Sequence, residues 1–587
     1  PEEKIGHHLK SIAVQRNGIY SRLLKKLNTI NDEYETHFKN FEKELPIAAK
    51  KDNLPIPKSF PAWNDAYVED VHKNKAIVEK LAHKEITKEH EDHTGSQLGG
   101  NITFKADIED VTSFDRLVEI MKASVKEEKR VKAIGSFAAF SGITETDGYL
   151  LQTNQYTGIS KTSLDILREN IKAQAEKDDI VYYDVKCGNT IHDVVKELKK
   201  DNRALFNLDG WGGGKLYRIE PSQGITDPLK FQLKFPNISL IQDDETFNAS
   251  IVHIGALGIT YEITIYSISL YSIIETREET TWDHAKTILK QKPYSSNPYL
   301  QYRNCEVWIS PYTDYALITK RNKATQEDKK NYPKPEINIL LQEFMELPIV
   351  QGISKFLAVS VGGALFLLLN LFPATVPSMI ELATRTQYHK DPKVDTYDNI
   401  YPFSFSMKDD NYIAAIDAIL QTLKKIREEH NLNINGPASL RFSAASSQYL
   451  SMAYNADNEP RAYLEMPILL YEPHITYYKK TYDALLQTAL KFNARCHWGQ
   501  YFSSLLDHQY LINSYGAKPI SLFIKQIQKF DPQGIMSNDL LNHLGLTPDG
   551  KVIDVNPFQK IIKDISIVAD EFWNKLTSLN IKDKKTG

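Results

Sequence analysis

The pattern of hydrophobic and polar residues separates a helical N-terminal segment from a longer mixed segment. Between residues 5 and 45, apolar side chains recur at helical or heptad spacing, which is typical of an amphipathic helix. This stripe consists of Leu9, Ile12, Ile19, Leu23, Leu27, Ile30, Tyr34, Phe38, Phe41 and Leu45. Pro46 ends the pattern, and three prolines between 55 and 61 predict a surface linker. The stripe indicates either a helical extension packed on the body or a contact between two copies of the chain.

From Asn101 onward, strand-like and helix-like patterns are interleaved, which predicts an α+β fold. The predicted strands cover residues 130–134, 149–153, 180–185 and 204–208, and the predicted helices cover residues 115–125 and 191–199. Thr190 is the expected N-cap of the second helix. Residues 247–265 contain a glycine-rich turn that leads into an alternating strand.

The first candidate chemistry lies where the strand 130–134 runs into Gly135. A tight loop after a buried strand directs successive backbone N–H groups into one concavity, and such a concavity binds phosphate. Ser136 and Ser141 offer hydroxyl donors to the same anion. A Gly-Ser turn in this position often only reverses the chain, so the loop alone does not establish a ligand.

Composition narrows the class of protein. A chain of 587 residues with 42% hydrophobic and 25% charged residues predicts a folded protein of two or three domains. Its net charge of −4 gives no electrostatic reason to expect nucleic acid as a partner. Cys187, Cys305 and Cys496 match no metal-binding spacing and are expected to be buried free thiols.

One apolar run bears on the membrane question. Residues 356–380 carry no charge, but Asn370, Pro373 and Pro377 interrupt them. A buried helix pair or a surface in contact with lipid is therefore expected rather than a membrane span. The chain begins at Pro1 without Met, so we expect a processed or trimmed form, and no compartment is predicted.

Several segments in a fixed order resemble the vanillyl-alcohol-oxidase/PCMH-type FAD-linked oxidases, especially the branch of sugar-lactone and alditol oxidases and class II cholesterol oxidases. The likeness covers roughly residues 100–545. In the first half of the chain it rests on the loop at 135–142, the Gly-x-Thr turn at 188–190 and HIGALGITYEIT at 253–264. In the second half it rests on WISPYTD at 308–314, PASLRF at 437–442, RCHWGQ at 495–500 and DPQGIMSNDL at 531–540.

The resemblance implies a bipartite PCMH-type FAD-binding domain at 95–275 and 491–550, with an inserted α+β substrate or cap domain at 276–490. The helical extension at 1–60 precedes it, and a C-terminal helix or tail follows at 551–587. The run 356–380 falls in the cap domain, which favours burial. The resemblance also implies a set of cofactor-binding residues: Gly135, Ser136, Phe137, Ala138, Ala139, Phe140, Ser141, Gly255, Gly258, Ile259 and Asn538.

The resemblance also implies catalytic positions, at Ser439, Arg441, His497 and Gln500. Arg441 is expected to stabilise negative charge, and His497 either accepts the hydroxyl proton of an alcohol or packs in the core beside Trp498. Ser439 stands where the family has an acid, and Gln500 stands where it has a lysine.

Two further departures concern the cofactor. The histidine that often links the flavin covalently is absent, since Phe137 and Ala138 occupy its place, so any FAD is expected to be noncovalent. Between Leu208 and Phe247 the family's second pyrophosphate segment has no clear counterpart beyond the glycines near Trp211.

Two functions follow from this pattern. The first is an FAD-dependent oxidase that acts on an alcohol group of a sugar-like or lipophilic, sterol-like substrate with oxygen as acceptor. The second is a catalytically silent protein of the same fold that serves as a binding or effector module. The expected partners are a small-molecule alcohol and oxygen, with peripheral membrane contact and self-association through the N-terminal helices left open.

Overall fold

A computed structural model describes the chain over residues 94–96, 103–135, 139, 141–205, 217–292, 296–328, 379–382, 400–408, 410–430, 434, 438–469, 475–500 and 502–553. All of these residues belong to the unit His93–Gly587. The predicted extension at 1–60, the glycines near Trp211, the tail from 554 and nearly all of the apolar run 356–380 lie outside them.

The described strands are numbered β1 to β19 in chain order. They are β1 Thr94–Ser96, β2 Thr103–Lys105, β3 Asp107–Asp110, β4 Val131–Ile134, β5 Tyr149–Gln152, β6 Ile159–Lys161, β7 Val181–Lys186, β8 Arg203–Leu205, β9 Tyr217–Glu220, β10 Ser239–Gln242, β11 Glu262–Ser269, β12 Ser272–Thr281, β13 Asn304–Ile309, β14 Tyr315–Lys323, β15 Met379–Leu382, β16 Ile400–Lys408, β17 Ala438–Ser443, β18 Arg461–Leu469 and β19 Arg495–Cys496.

The described helices lie between these strands and after the last one. They are Phe114–Glu127, Glu169–Lys177, Ile191–Lys200, Pro228–Lys234, Asp244–Ser250, Trp282–Leu289, Tyr412–His430, Ile475–Leu490, His508–Tyr515, Ala517–Phe530 and Asp539–Leu544, with 3-10 turns at Gly142–Thr144 and Leu164–Ile166. Among the described residues, no helix has the length and hydropathy that a membrane crossing requires.

The N-terminal part of the described chain contains small sheets. A parallel sheet has the order β3-β5-β4, an antiparallel sheet has the order β6-β7-β11-β8, and β9 pairs with β10 in parallel. Helix Phe114–Glu127 precedes β4 and starts at Ser113, whose Oγ accepts the N–H of Arg116 at 3.1 Å. Thr190 forms a capping box with Asp193 at the start of the next predicted helix. The α+β prediction and these element predictions are confirmed.

The C-terminal part is built on an eight-stranded sheet with the order β15-β12-β14-β13-β17-β18-β16-β19. Strand residues alternate between its two faces. One face is apolar: Val307, Ile318, Leu440 and Leu464 are buried in the main core. Helices Tyr412–His430 and Ile475–Leu490 contribute residues to the same core, which leaves the other face for polar side chains.

Candidate functional site

Ser141, at the end of the first loop, contacts the C-terminal segment around Trp498. The buried hydroxyl of Ser141 donates to the carbonyl oxygen of Trp498, although more than 350 residues separate them in sequence. This contact places Ser141, the end of the first loop, beside the segment 497–500. The donor proton of Ser141 is thus used within the protein.

Asn538 connects a second part of the C-terminal segment to the turn that follows the first loop. Its Nδ2 donates to the carbonyl oxygens of Gly142 at 2.9 Å and Glu145 at 3.1 Å. Its Oδ1 accepts the N–H of Leu541 at 3.0 Å and so caps helix Asp539–Leu544. The buried amide therefore holds the turn after the first loop and has its hydrogen-bonding groups occupied.

Only part of the predicted cofactor loop can be placed. Gly135 ends β4 in open space, with no atom within 4 Å of the position that a Cβ would take. Ala139 is half-buried. Ser136, Phe137, Ala138 and Phe140 lie outside the described residues. The described part therefore leaves room beside Gly135, as a bound ligand requires.

The glycine-rich turn at 253–258 forms a second candidate cofactor segment. Gly255 and Gly258 have φ values of +73° and +145°, which residues other than glycine rarely adopt. His253 Nδ1 accepts the N–H of Gly255 at 3.2 Å, and its Nε2 lies 3.2 Å from Thr260 Oγ1. Desolvation and the nearby Lys132 lower the pKa of His253 to about 4, so the ring is neutral at physiological pH. Ile259 packs its side chain into the core beside the turn.

Lys132 joins three segments at this turn. Its Nζ donates to the carbonyl oxygen of Gly255 at 3.1 Å and to that of Met536. The side chain is 1% exposed, and burial lowers the pKa of Lys132 to about 7 despite the opposing charge of Asp531. Asp531 in turn accepts the N–H groups of Ile535 at 2.9 Å and Met536 at 2.8 Å. The buried amine of Lys132 therefore connects strand β4 to the glycine turn at 253–258 and to the segment around Met536.

A cavity of about 450 Å³ adjoins the glycine turn. Helix Phe114–Glu127 and residues 529–536 supply most of the residues that line it, apolar and polar ones alike, together with Leu257 and Gly258. None of the four predicted catalytic residues lines this cavity. Two of the four, Ser439 and Arg441, lie on the polar face of the large sheet.

Two predicted catalytic residues meet on that face. Ser439 and Arg441 lie two positions apart on β17, so both point to the same side. Ser439 Oγ donates to Glu306 Oε1 at 2.7 Å, and Arg441 Nε donates to the same oxygen at 2.9 Å. Arg441 Nη1 also lies 3.3 Å from Glu465 Oε2 on β18. The face thus presents an arginine held by two carboxylates.

The charged cluster continues toward the edge of the sheet. Arg321 Nη1 contacts Glu306 Oε2 at 3.4 Å, and its Nε donates to Glu275 at 2.6 Å. Burial alone would raise the pKa of Glu306, but the charge of Arg441, the Ser439 hydroxyl and Arg321 together lower it. Glu306 is therefore ionised at neutral pH although it is buried.

A row of paired strand residues connects this cluster to the other two predicted catalytic residues, His497 and Gln500. Ser439 lies opposite Glu465, and Glu465 lies opposite Ser404 on β16. The backbone N–H of His497 then donates to the carbonyl oxygen of Ser404 at 3.3 Å. Three strand spacings separate Ser439 from His497, or about 14 Å. The structure therefore places the two pairs along one row of the sheet, not in direct contact.

His497 is arranged as a hydrogen-bond donor. Its Nδ1 accepts the N–H of Gly499 at 3.1 Å, so in the neutral ring the proton resides on Nε2. Surrounding protein desolvates the ring and lowers the pKa of His497, although the residue is still exposed to solvent. To act as a base, Nδ1 would first have to release the Gly499 N–H.

Gln500 carries an unsatisfied acceptor. Its Oε1 is buried and has no hydrogen-bond partner within the part of the chain that the structure describes. A buried polar atom without a partner is costly, by about 1–3 kcal/mol. A ligand that donates a hydrogen bond at this point would remove that cost, so the residue fits a bound cofactor or substrate.

Sequence reasoning missed Glu306 and Lys132. Glu306 lies two residues before the motif at 308–314, but its partner Arg441 lies 135 residues away, and only the strand register brings them together. Lys132 had a local signal, since it is a charged residue within the otherwise apolar strand Val131–Ile134. Among the described residues, no group of three or more potential metal ligands was found. Cys187, Cys305 and Cys496 are free thiols, and of these Cys496 is fully buried.

Comparison with solved structures identifies the fold. The structure resembles a cholesterol oxidase from B. sterolicum with a TM-score of 0.54 at 10% sequence identity, covering 77% of this chain and 96% of that one. A solvent-stable cholesterol oxidase gives a TM-score of 0.50 at 13% identity, covering 77% of this chain and 97% of that one. At these identities the likeness establishes the fold, which is that of the PCMH-type FAD-binding oxidases.

Sequence comparison indicates the branch. The family described as D-arabinono-1,4-lactone oxidase matches residues 263–544. L-gulonolactone oxidase of Bos taurus is 24% identical over 202 residues, or 31% of this chain and 43% of that protein. L-gulonolactone oxidase of Scyliorhinus torazame is 23% identical over 463 residues, or 73% of this chain and 93% of that protein.

D-arabinono-1,4-lactone oxidase of Saccharomyces cerevisiae is 23% identical over 231 residues, or 38% of this chain and 42% of that protein. The chain therefore spans less than half the length of the bovine and yeast relatives in these matches. Together the matches fit the vanillyl-alcohol-oxidase/PCMH-type superfamily and its sugar-lactone oxidase branch. The resemblance that the sequence indicated is confirmed.

Proposed function

We propose that the protein is an FAD-dependent oxidase that oxidises an alcohol group of a sugar lactone and passes the electrons to oxygen. The observation that carries this proposal is the position of Arg441, which two carboxylates hold on the polar face of the large sheet, two residues along β17 from Ser439. The names of the similar lactone oxidases suggest the substrate class.

The residues fit a noncovalent FAD. The open space at Gly135, the glycine turn at 255–258 and the unsatisfied Oε1 of Gln500 are features that a bound dinucleotide would use. When bound, the flavin supplies the hydride acceptor and its reoxidation by oxygen. The protein supplies binding, orientation and charge.

Each polar residue then has a role in the proposed reaction. Arg441 is about half exposed at its side chain, so its guanidinium extends beyond the buried Glu306 and can face an oxygen that gains negative charge. His497 Nε2 can donate a hydrogen bond to a ligand at the other end of the row, about 14 Å from Ser439. Gln500 is uncharged, so the positive charge that the family's lysine would add is absent and Arg441 carries this function.

The polar face favours a sugar-like substrate over a sterol. The partly exposed side chains of Arg441 and Glu465 offer donors and acceptors that suit a molecule rich in hydroxyl groups. A hydrogen peroxide assay with aldonolactones, alditols and cholesterol tests this choice. We expect peroxide with a lactone, whereas turnover of cholesterol alone would contradict the proposed substrate class.

A binding module of the same fold is the second candidate. It is favoured by Ser439 and Gln500, which replace two charged residues of the family pattern. Protein that retains FAD but forms no peroxide with any of these substrates would support this candidate and contradict the first.

We predict that the flavin leaves the protein on denaturation, because Ala138 occupies the place of the linking histidine. Acid precipitation of yellow protein should release all flavin absorbance into the supernatant. A yellow pellet would contradict this prediction and direct attention to Cys187 or His192 as an attachment point.

A further inference from the structure

The acid that is missing beside Arg441 on β17 has a counterpart on the neighbouring strand. In the antiparallel pair β13–β17, Glu306 lies directly opposite Arg441, and Trp308 lies opposite Ser439. Side chains at directly opposed positions have Cβ atoms about 4.5–5.5 Å apart and share a face. Glu306 is therefore as close to Arg441 as an acid two residues away along the strand would be.

The contacts show that this site has room for one acid. Glu306 Oε1 accepts from Arg441 Nε at 2.9 Å and from Ser439 Oγ at 2.7 Å. A carboxylate at position 439 would replace that hydroxyl donor with a like charge, and both acids would be buried. Ser439 and Glu306 are thus complementary, because the small hydroxyl residue accepts the acid that comes from the other strand.

We propose that Glu306 takes over the role of the acid absent at position 439 and positions Arg441 for the reaction, so that the acid–arginine pair spans two strands. This inference rests on the proposed function. Glu306 acts through the guanidinium and is a positioning residue. It fixes the Nε edge of Arg441, and Glu465 contacts Nη1, so the two carboxylates together set the direction in which the half-exposed guanidinium faces a ligand.

An exchange of the acid between the strands tests the proposal. Glu306→Gln should lower kcat for the lactone by about 10- to 100-fold, as expected for loss of one charged hydrogen-bond partner, and should leave KM within about threefold. Ser439→Glu alone should also lower kcat, because it places two buried acids together. The double variant Glu306→Ser with Ser439→Glu should return kcat to within about fivefold of the parent, which a purely structural role of either residue would not produce.

Sulfite binding gives a second readout that does not require turnover. Sulfite adds to oxidised flavin as an anion, so its affinity reports positive charge held near the ring. Loss of the Glu306 charge alone would strengthen sulfite binding, whereas displacement of the Arg441 guanidinium would weaken it. Because we propose a positioning role, we expect Glu306→Gln to weaken sulfite binding by about tenfold or more and the exchange variant to restore it. Glu275→Gln is a matched control, since Glu275 is a buried acid on the same face that pairs with Arg321 and Arg277 but not with Arg441.

The outcomes separate this inference from the proposed function. A parent that oxidises lactones while Glu306→Gln matches Glu275→Gln in kcat and sulfite affinity would overturn the inference alone. A parent without turnover, whose sulfite affinity falls in Glu306→Gln and recovers in the exchange variant, would overturn the proposed function and support the inference. A parent that binds no FAD would overturn both.

Discussion

Replacing Arg441 with alanine should lower kcat for the lactone by about 10²- to 10³-fold while FAD remains bound. This is the loss expected when a positioned group that stabilises developing charge is removed from an active site. Two features make the residue central here. Gln500 cannot contribute a charge, and the Arg441 guanidinium is held between Glu306 and Glu465 at 2.9 and 3.3 Å.

Two further variants sharpen this prediction. Arg441→Lys keeps the charge but presents a single nitrogen that cannot reproduce the fork between two carboxylates, so an intermediate loss of kcat is expected. Arg277→Ala is the control, because Arg277 lies on the same sheet and pairs with Glu275 instead. Activity of Arg441→Ala within threefold of the parent would exclude the assigned role.

Replacing Lys132 with methionine should change how stability depends on pH. The native pKa of Lys132 is lowered to about 7, whereas a lysine in an unfolded chain has a pKa of about 10.4. Between these values the unfolded chain holds a proton that the native protein has released. The free energy of unfolding should therefore rise with pH across this window, by up to about 1.4 kcal/mol per pH unit from this group.

Chemical denaturation of parent and Lys132→Met at pH 7, 8, 9 and 10 measures this difference. The parent should gain stability relative to the variant as pH increases. His253, with a pKa of about 4, is already neutral throughout this range, and Asp531, whose pKa burial raises, is present in both proteins. Parallel curves for the two proteins would show that Lys132 stays charged in the native state.

The elements around the first loop could be predicted because their signals are local. The apolar strand that ends in Gly135, the amphipathic helix before it and the Thr190 cap all depend on residues within one or two turns of each other. Such patterns are set by backbone geometry and burial, and both can be read from a single segment. The ordered motifs then indicated the superfamily.

The detailed contacts of the site could not be predicted in the same way. The pairing of Glu306 with Arg441 depends on the register of two strands whose order in the sheet does not follow their order in the chain. The contact of Ser141 with Trp498 and that of Asn538 with the turn at 142–145 depend on how distant segments dock. The sequence predicts that Ser141 and Asn538 contact the cofactor. In the structure, their described hydrogen bonds instead connect distant segments of the protein.

Anaerobic mixing of purified protein with a sugar lactone tests the central claim most directly. We expect a yellow protein whose visible flavin absorbance bleaches on mixing and returns when oxygen is admitted, with peroxide formed in equal amount. Protein that contains FAD and keeps its absorbance unchanged with every lactone and alditol offered would contradict the assignment of an oxidase.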